Sequence, residues 1–247
     1  INDEHYTFNR LISQGDFNGD GYEDILNFGA DLYGANVKDG NFRIYTAFNH
    51  NFEGGLVKTI SDGFNNQTTF TYQPISYNKT ADNRDFYTKG TSSTYPVIDL
   101  QAPIYCVSSM SVPDGIGGTI TTKYAYENAR VHITGKGFLG FSRIVATTDP
   151  LNKKIITTNQ LDNSSYLLTK QTVEVKTTSD ALLAKTENNF ANEKLGNSYF
   201  SYLSSSVSTD YLTNTSTTTS YSYTNDGYGN LNSVTINYGN GYTETTS

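Results

Sequence analysis

One short stretch sets oxygen-bearing side chains at a spacing that does chemistry. In Gly15-Asp16-Phe17-Asn18-Gly19-Asp20-Gly21-Tyr22-Glu23-Asp24-Ile25-Leu26, Asp16, Asn18, Asp20 and Asp24 occupy loop positions one, three, five and nine, and Gly21 occupies position six. Such spacing wraps a loop around a hard cation, with the glycine allowing the sharp turn that gathers the oxygens. The four side chains would supply oxygens and Tyr22 its backbone carbonyl. Calcium is the ion this set suits, because magnesium demands tighter octahedral geometry and gives up its waters reluctantly. Its role would be structural, since the loop fills every oxygen position and no His or Cys stands nearby to frame an open catalytic position. An acidic turn without an ion is the other reading.

No second cluster of this kind appears. His5, His50 and His132 fall in separate units without metal-ligand spacing and read as surface or strand histidines. There is no Gly-x-Ser-x-Gly elbow, and the single cysteine, Cys106, has no nucleophile signature and reads as a small core residue. A glycosidase needs two carboxylates across a cleft, which spacing alone does not exclude, but the acidic residues lie mainly in turns, where they shape backbone. The expectation is a protein that is not an enzyme, with no catalytic residues and no organic cofactor.

The elements that must position these residues are strands. The 247 residues include 20 Tyr, 13 Phe and no Trp, with only 17% charged residues. This composition excludes a coiled coil and a highly charged disordered chain, and no apolar run is long enough to span a membrane. A net charge of -7 and a pI near 4.9 argue against a nucleic-acid partner. Short alternating stretches are bounded by Gly, Asn and Asp turns, as in Thr68-Thr69-Phe70-Thr71-Tyr72, where Thr68, Phe70 and Tyr72 share a face. Ile120, Thr122, Tyr124 and Tyr126 do the same, as do Val173 with Val175 and Tyr221 with Tyr223. The segment Asp180 to Phe190 could begin a helix capped by Asp180, but its Asn188-Asn189 end and strand neighbours favour a hairpin. Asp62-Gly63 and Asp114-Gly115 each lead into Thr-rich alternation ending in Tyr, a loose repeat of hairpin arms. The expected fold is therefore all-β, an extended antiparallel sheet of successive hairpins, with an antiparallel sandwich as the competing architecture. Glu53-Gly54-Gly55 interrupts the pattern, which places a boundary near Phe52 to Leu56 and gives two units, residues 1-55 and 56-247. Beginning at Ile1, with Met110 as its one methionine, the chain reads as a section of a longer polypeptide.

Three segments carry resemblances. Asp16 to Leu26 fits neither an EF-hand, which needs Glu where Asn27 stands and flanking helices, nor a dockerin, which duplicates its loop. It resembles FG-GAP (VCBS-type) repeats, the blades of β-propellers, in which the ion pins a hairpin. Tyr124-Ala125-Tyr126 followed by Ala129-Arg130-Val131-His132 and Gly135-Lys136-Gly137-Phe138-Leu139-Gly140-Phe141 is not a phosphate loop, as no Gly-Lys-Ser/Thr ending or helix follows. Here Gly135, Gly137 and Gly140 would allow positive φ or close backbone approach, with Phe138 and Phe141 buried against a sheet. This stretch resembles the segment after the propeller in toxin-complex B-type components and related Rhs-associated bacterial proteins. Finally, Tyr221-Ser222-Tyr223-Thr224-Asn225-Asp226-Gly227-Tyr228-Gly229-Asn230-Leu231 resembles a YD repeat, although Thr224 stands where Asp usually follows Tyr and the turn is longer.

In Rhs/YD-repeat proteins the repeats build a hollow β-shell that commonly encloses a toxic C-terminal domain. The resemblance implies a non-catalytic structural section of a secreted or cell-surface bacterial toxin-related protein, the end of an FG-GAP-like propeller blade followed by the start of a shell. Implied partners are the propeller and effector parts of the same polypeptide and other toxin-complex components. The competing function is an extracellular carbohydrate-binding or adhesion module whose exposed aromatics, Tyr199, Phe200 and Tyr202 or Tyr238 and Tyr242, stack on sugars. Aromatic alternation more often serves cross-strand packing.

Overall fold

The computed structural model describes residues 11–17, 23–29, 41–45, 55–224 and 229–247. Strands β1 (Leu11–Gly15), β2 (Asp24–Gly29) and β3 (Asn41–Tyr45) form a three-stranded antiparallel sheet in that order. The other strands form one 14-stranded sheet. They are β4 (Thr59–Ser61), β5 (Gln67–Pro74), β6 (Tyr87–Thr88), β7 (Val97–Asp99), β8 (Tyr105–Pro113), β9 (Thr119–His132) and β10 (Gly137–Thr148). There follow β11 (Lys153–Leu161), β12 (Leu168–Lys176), β13 (Leu182–Leu195), β14 (Ser198–Asp210), β15 (Thr215–Tyr223), β16 (Leu231–Asn237) and β17 (Thr243–Thr246). From β8 to β17 every strand pairs antiparallel with the next in the chain, so each hairpin adds one strand at the growing edge. The sheet is open, not closed into a barrel, and no α-helix occurs among the described residues. The boundary expected near Phe52 to Leu56 falls in the interval between β3 and β4, of which residues 46–54 lie outside the described residues.

The Thr-rich composition explains how so thin a sheet holds together. Facing hydroxyls satisfy one another across strands, as in Thr71 with Ser109 at 2.7 Å, Ser111 with Thr121 at 2.8 Å and Thr122 with Thr148 at 2.9 Å. Such pairs add to the ladder without needing an apolar layer above them. Residues 180–190, for which helix and hairpin competed, lie in the β12–β13 hairpin: Asp180 takes φ +69 in its turn, and Leu182 onward is strand.

Turns are made largely by aspartate. Asp62 Oδ1 accepts the amides of Phe64 and Asn66 at 2.8 and 2.9 Å, and Asp114 Oδ1 those of Ile116 and Gly118 at 2.9 and 2.8 Å. Asp162 holds Ser164 and Ser165, and Asp210 holds Leu212 and Thr213, in the same way. A carboxylate at the first turn position thus satisfies amides that the ladder leaves open. These donors hold the carboxyls of Asp62 and Asp162 below the usual range, through Asn66 first in one case and the Ser165 amide first in the other.

The core sits where the sheet divides. β9 pairs with β8 only up to Lys123, and beyond it takes β6 and β7 as neighbours instead. Ile75, Phe86, Tyr87, Tyr126 and Ala129 are buried in this fork, with Cys106, Phe141 and Ile144 packed against them.

Candidate functional site

The cation loop is only partly within the described residues. Asn18, Asp20 and Tyr22 lie outside them, whereas Asp16 and Asp24 are described. Asp24, the first residue of β2, is fully buried, and its Oδ2 accepts the amide of Phe17 at 2.9 Å. This carboxylate folds back onto the amide of its own loop and closes the turn. Among the described residues no group of three His, Cys, Asp or Glu side chains is arranged to hold a metal.

The glycine-rich segment forms the β9–β10 hairpin. Gly135, Gly137 and Gly140 take φ of +125, +72 and +88, the first of the two roles open to them, and a Cβ at any of the three would meet nothing within 4 Å. The register shifts between Phe138 and Gly140, Gly140 stands opposite Arg130, and Asn128, two residues before Arg130 on β9, has φ +53. Together they turn Phe141 toward Tyr126, ring centroids 4.8 Å apart, and into the fork. Phe138 departs from expectation: it is half exposed and packs edge-on against Phe141 at 5.6 Å instead of burying on the sheet. The reason is position, for Phe138 stands one residue from the turn glycine, beyond the reach of β6 and the core.

Two arginines fasten the segment between β5 and β8 to this hairpin. Arg84 donates to the carbonyls of Tyr124 at 2.8 Å and Ser108 at 3.1 Å, tying together the two strands that diverge at the fork. Arg130 lies 3.5 Å from Asp99, whose carboxylate also accepts the amide and hydroxyl of Ser93 at 3.0 and 2.6 Å. Burial pushes the Asp99 carboxyl up, but the Ser93 hydrogen bonds and Arg130 outweigh it and hold the group ionised. Beside this clamp, Ser92, Thr94, Arg130, Asp162 and Tyr166 line an open, polar cleft of ≈ 370 Å³. Within it Asp162 accepts the amides of Ser164 and Ser165 and so fixes its own loop.

His132 ends β9 and is buried, its ring 4.7 Å from that of Tyr166 and its Nδ1 accepting the Lys136 amide at 3.4 Å. It is a strand histidine, as expected, while His5 and His50 lie outside the described residues. Cys106 is half-buried against the core, and burial pushes its thiol up to about 11, the opposite of what a nucleophile needs.

The YD-like tail forms the β15–β16 hairpin, with residues 225–228 outside the described ones. Gly229, at φ +71, lies so close to Phe200 that a Cβ there would stand 2.5 Å from the ring. Phe200, Tyr202 and Tyr223 pack on one another with centroids 4.5 to 5.9 Å apart, so these aromatics serve cross-strand packing. Tyr199, Tyr238 and Tyr242 are exposed, and the last two stand 5.6 Å apart.

A family model described as the insecticide toxin TcdB middle/N-terminal region matches residues 8–170, from before β1 into β12. The chain belongs to this TcdB family. The match takes in residues 16–26, the fork and the glycine-rich hairpin, and stops short of the YD-like tail. Comparison with curated proteins and with solved structures gives no match. No helix among the described residues of this TcdB-family chain is long and apolar enough to cross a membrane.

Proposed function

We propose that this TcdB-family chain is a non-catalytic wall section of a secreted bacterial toxin component, part of a β-shell that encloses or delivers a C-terminal effector of the same polypeptide. The observation that carries this reading is the topology: from β8 onward strands join the sheet in chain order, one hairpin at a time. A sheet built so lengthens with sequence and needs no closing partner within itself, which suits a wall. The family supports a place in a toxin complex, with the propeller and effector parts of the polypeptide and other complex components as partners. The loop carrying Asp16, Asn18, Asp20, Tyr22 and Asp24 binds calcium in this reading and braces the FG-GAP-like unit; the buried, backbone-bonded Asp24 carboxylate supports it.

The test is limited proteolysis of the intact polypeptide. Its effector part resists digestion while the near-ultraviolet circular dichroism of the wall is native, and becomes sensitive when the wall unfolds. Digestion at the rate of the isolated effector, with the wall still folded, overturns the proposal. A second reading, a glycan-binding module, finds its support in Tyr238 and Tyr242, exposed together at the β16–β17 turn; binding on a glycan array lost in Tyr242→Ala would favour it.

A further inference from the structure

Beyond the fork the sheet is one layer thick, and its two faces differ in chemistry. All nine residues of β12 are half-buried, as expected of a strand with neighbours on both sides and no second layer. Register puts Arg143, Thr158, Thr172 and Glu187 in one row on one face of β10 to β13. This face carries the charges. Arg143 pairs with Glu127, Lys170 and Lys185 both reach Glu187 at 2.6 and 3.3 Å, and Lys176 lies 3.1 Å from Glu174. Ile156, set between Val145 and Glu174, is only 4% exposed here, flanked by the long stem of Lys154. Long charged side chains that cover an apolar residue and keep their heads in water make a surface finished for solvent.

The opposite face is built otherwise. Ile144, Thr157, Val173 and Thr186 form one row, and Ala146, Ile155, Val175 and Ala184 the next. A third row is a ladder of amides: Asn159 donates to the Phe141 carbonyl at 3.1 Å, Gln171 to Asn159 at 3.1 Å, Asn188 to Gln171 at 3.4 Å, and Ser206 to Asn188 at 2.8 Å. Across β10 to β13 none of these rows holds a charge; the face's charges lie at its margin, Asp210 on β14 opposite Ala184 and Lys153 opposite Thr148. Covering the charged face would strip water from ion pairs, whereas covering these three rows across β10 to β13 desolvates no charge, and their amides already satisfy one another.

Resting on the shell reading above, we infer that the uncharged face of β10 to β13 is the inner wall, turned to the enclosed polypeptide, and that the ion-paired face is the water side. Two neighbouring threonines report on this. Thr186 on β13 lies on the uncharged face, and Thr172 on β12, paired with Glu187, lies on the other. In the intact polypeptide carrying Cys106→Ser, each is replaced by cysteine and exposed to a polymer-linked maleimide too large to cross the wall, with labelling read at each peptide by mass spectrometry. Thr172→Cys is expected to label within an order of magnitude of the urea-unfolded rate, and Thr186→Cys at least two orders of magnitude more slowly. Thr158→Cys and Thr157→Cys, adjacent on β11, repeat the comparison should either first variant fail to fold. Protection of the charged-face site alone overturns the orientation and leaves the shell standing. Fast labelling of both sites overturns the shell reading itself, and protection of both overturns the proposal because the charged face is then not the water side.

Discussion

Tyr126 lies at the centre of the fork, and replacing it separates what its ring and its hydroxyl each contribute. The side chain is 9% exposed; its ring meets Phe86 edge-on at 5.6 Å and Phe141 at 4.8 Å, and its hydroxyl donates to the Val107 carbonyl at 2.9 Å. Tyr126→Phe keeps both ring contacts and strands one carbonyl, a loss of about 1–3 kcal/mol. Tyr126→Ala opens a cavity as well, which costs about 3–5 kcal/mol for a buried aromatic. For a chain of this size a loss of 1 kcal/mol lowers Tm by about 2–4 °C, so the two variants should melt in clearly separate ranges, Tyr126→Ala the lower. Differential scanning calorimetry of the segment or of the intact polypeptide reads both.

The same pair has a distinctive pH dependence. Burial raises the Tyr126 hydroxyl above its ordinary value, so the folded state holds its proton more tightly than the unfolded one. Stability from this source is complete below the unfolded value of about 10 and is lost as pH climbs from there toward the folded one. The wild-type chain should therefore lose its advantage over Tyr126→Phe as pH rises above that point. Equal melting of all three proteins at neutral pH, or an advantage that grows in alkali, would refute the assignment of the fork as the core that holds the diverging strands.

Two further outcomes follow from backbone and metal. Gly137→Val places a β-branched side chain at φ +72, which costs about 1–3 kcal/mol, while Phe138→Ala beside it, half exposed, should cost less; the reverse order in chemical denaturation would count against a left-handed requirement. Calcium should raise Tm of the polypeptide, and Asp20→Ala should abolish the increment while leaving the chelated melting point unchanged; identical melting with calcium and with chelator would remove the cation from the account.

Much of this was legible in the residues because it is local. Alternation of Thr with Tyr and Val, aspartate at the head of a turn, and glycine at positive φ act within a few residues, so several of the strands after Thr119 could be read. The core could not. Phe86 and Tyr87 are buried at 1% and 2%, yet they sit in a stretch punctuated by Asn, Gly and Ser that reads as loop. Their burial depends on β9 leaving β8 and accepting β6 in its place, a pairing some 40 positions away in the chain. Arg84 carried a signal that was missed: an arginine two positions before a Phe-Tyr pair suggests a side chain needed to cap backbone carbonyls beside a buried segment. Phe138 shows the converse, since an aromatic in a Gly-rich motif looks buried until its distance from the turn is known.

The two faces of β10 to β13 also explain why alternation in this chain looks weaker than in an ordinary sandwich strand. A strand with one buried face alternates apolar with polar; past β10 neither face meets a second layer among the described residues, and the alternation is between charged and uncharged, as in Lys170, Gln171, Thr172, Val173, Glu174 and Val175. A wall bounding an enclosed space has this requirement: one side must remain hydrated and the other must tolerate a polypeptide without gripping it. Threonine, asparagine and glutamine meet the second condition when their hydrogen bonds close within the sheet, as the Asn159 to Ser206 ladder does. The low charge of the chain is thus tied to its topology, because a sheet that grows by single hairpins has no core of its own beyond the fork and must make both of its surfaces from cross-strand pairs.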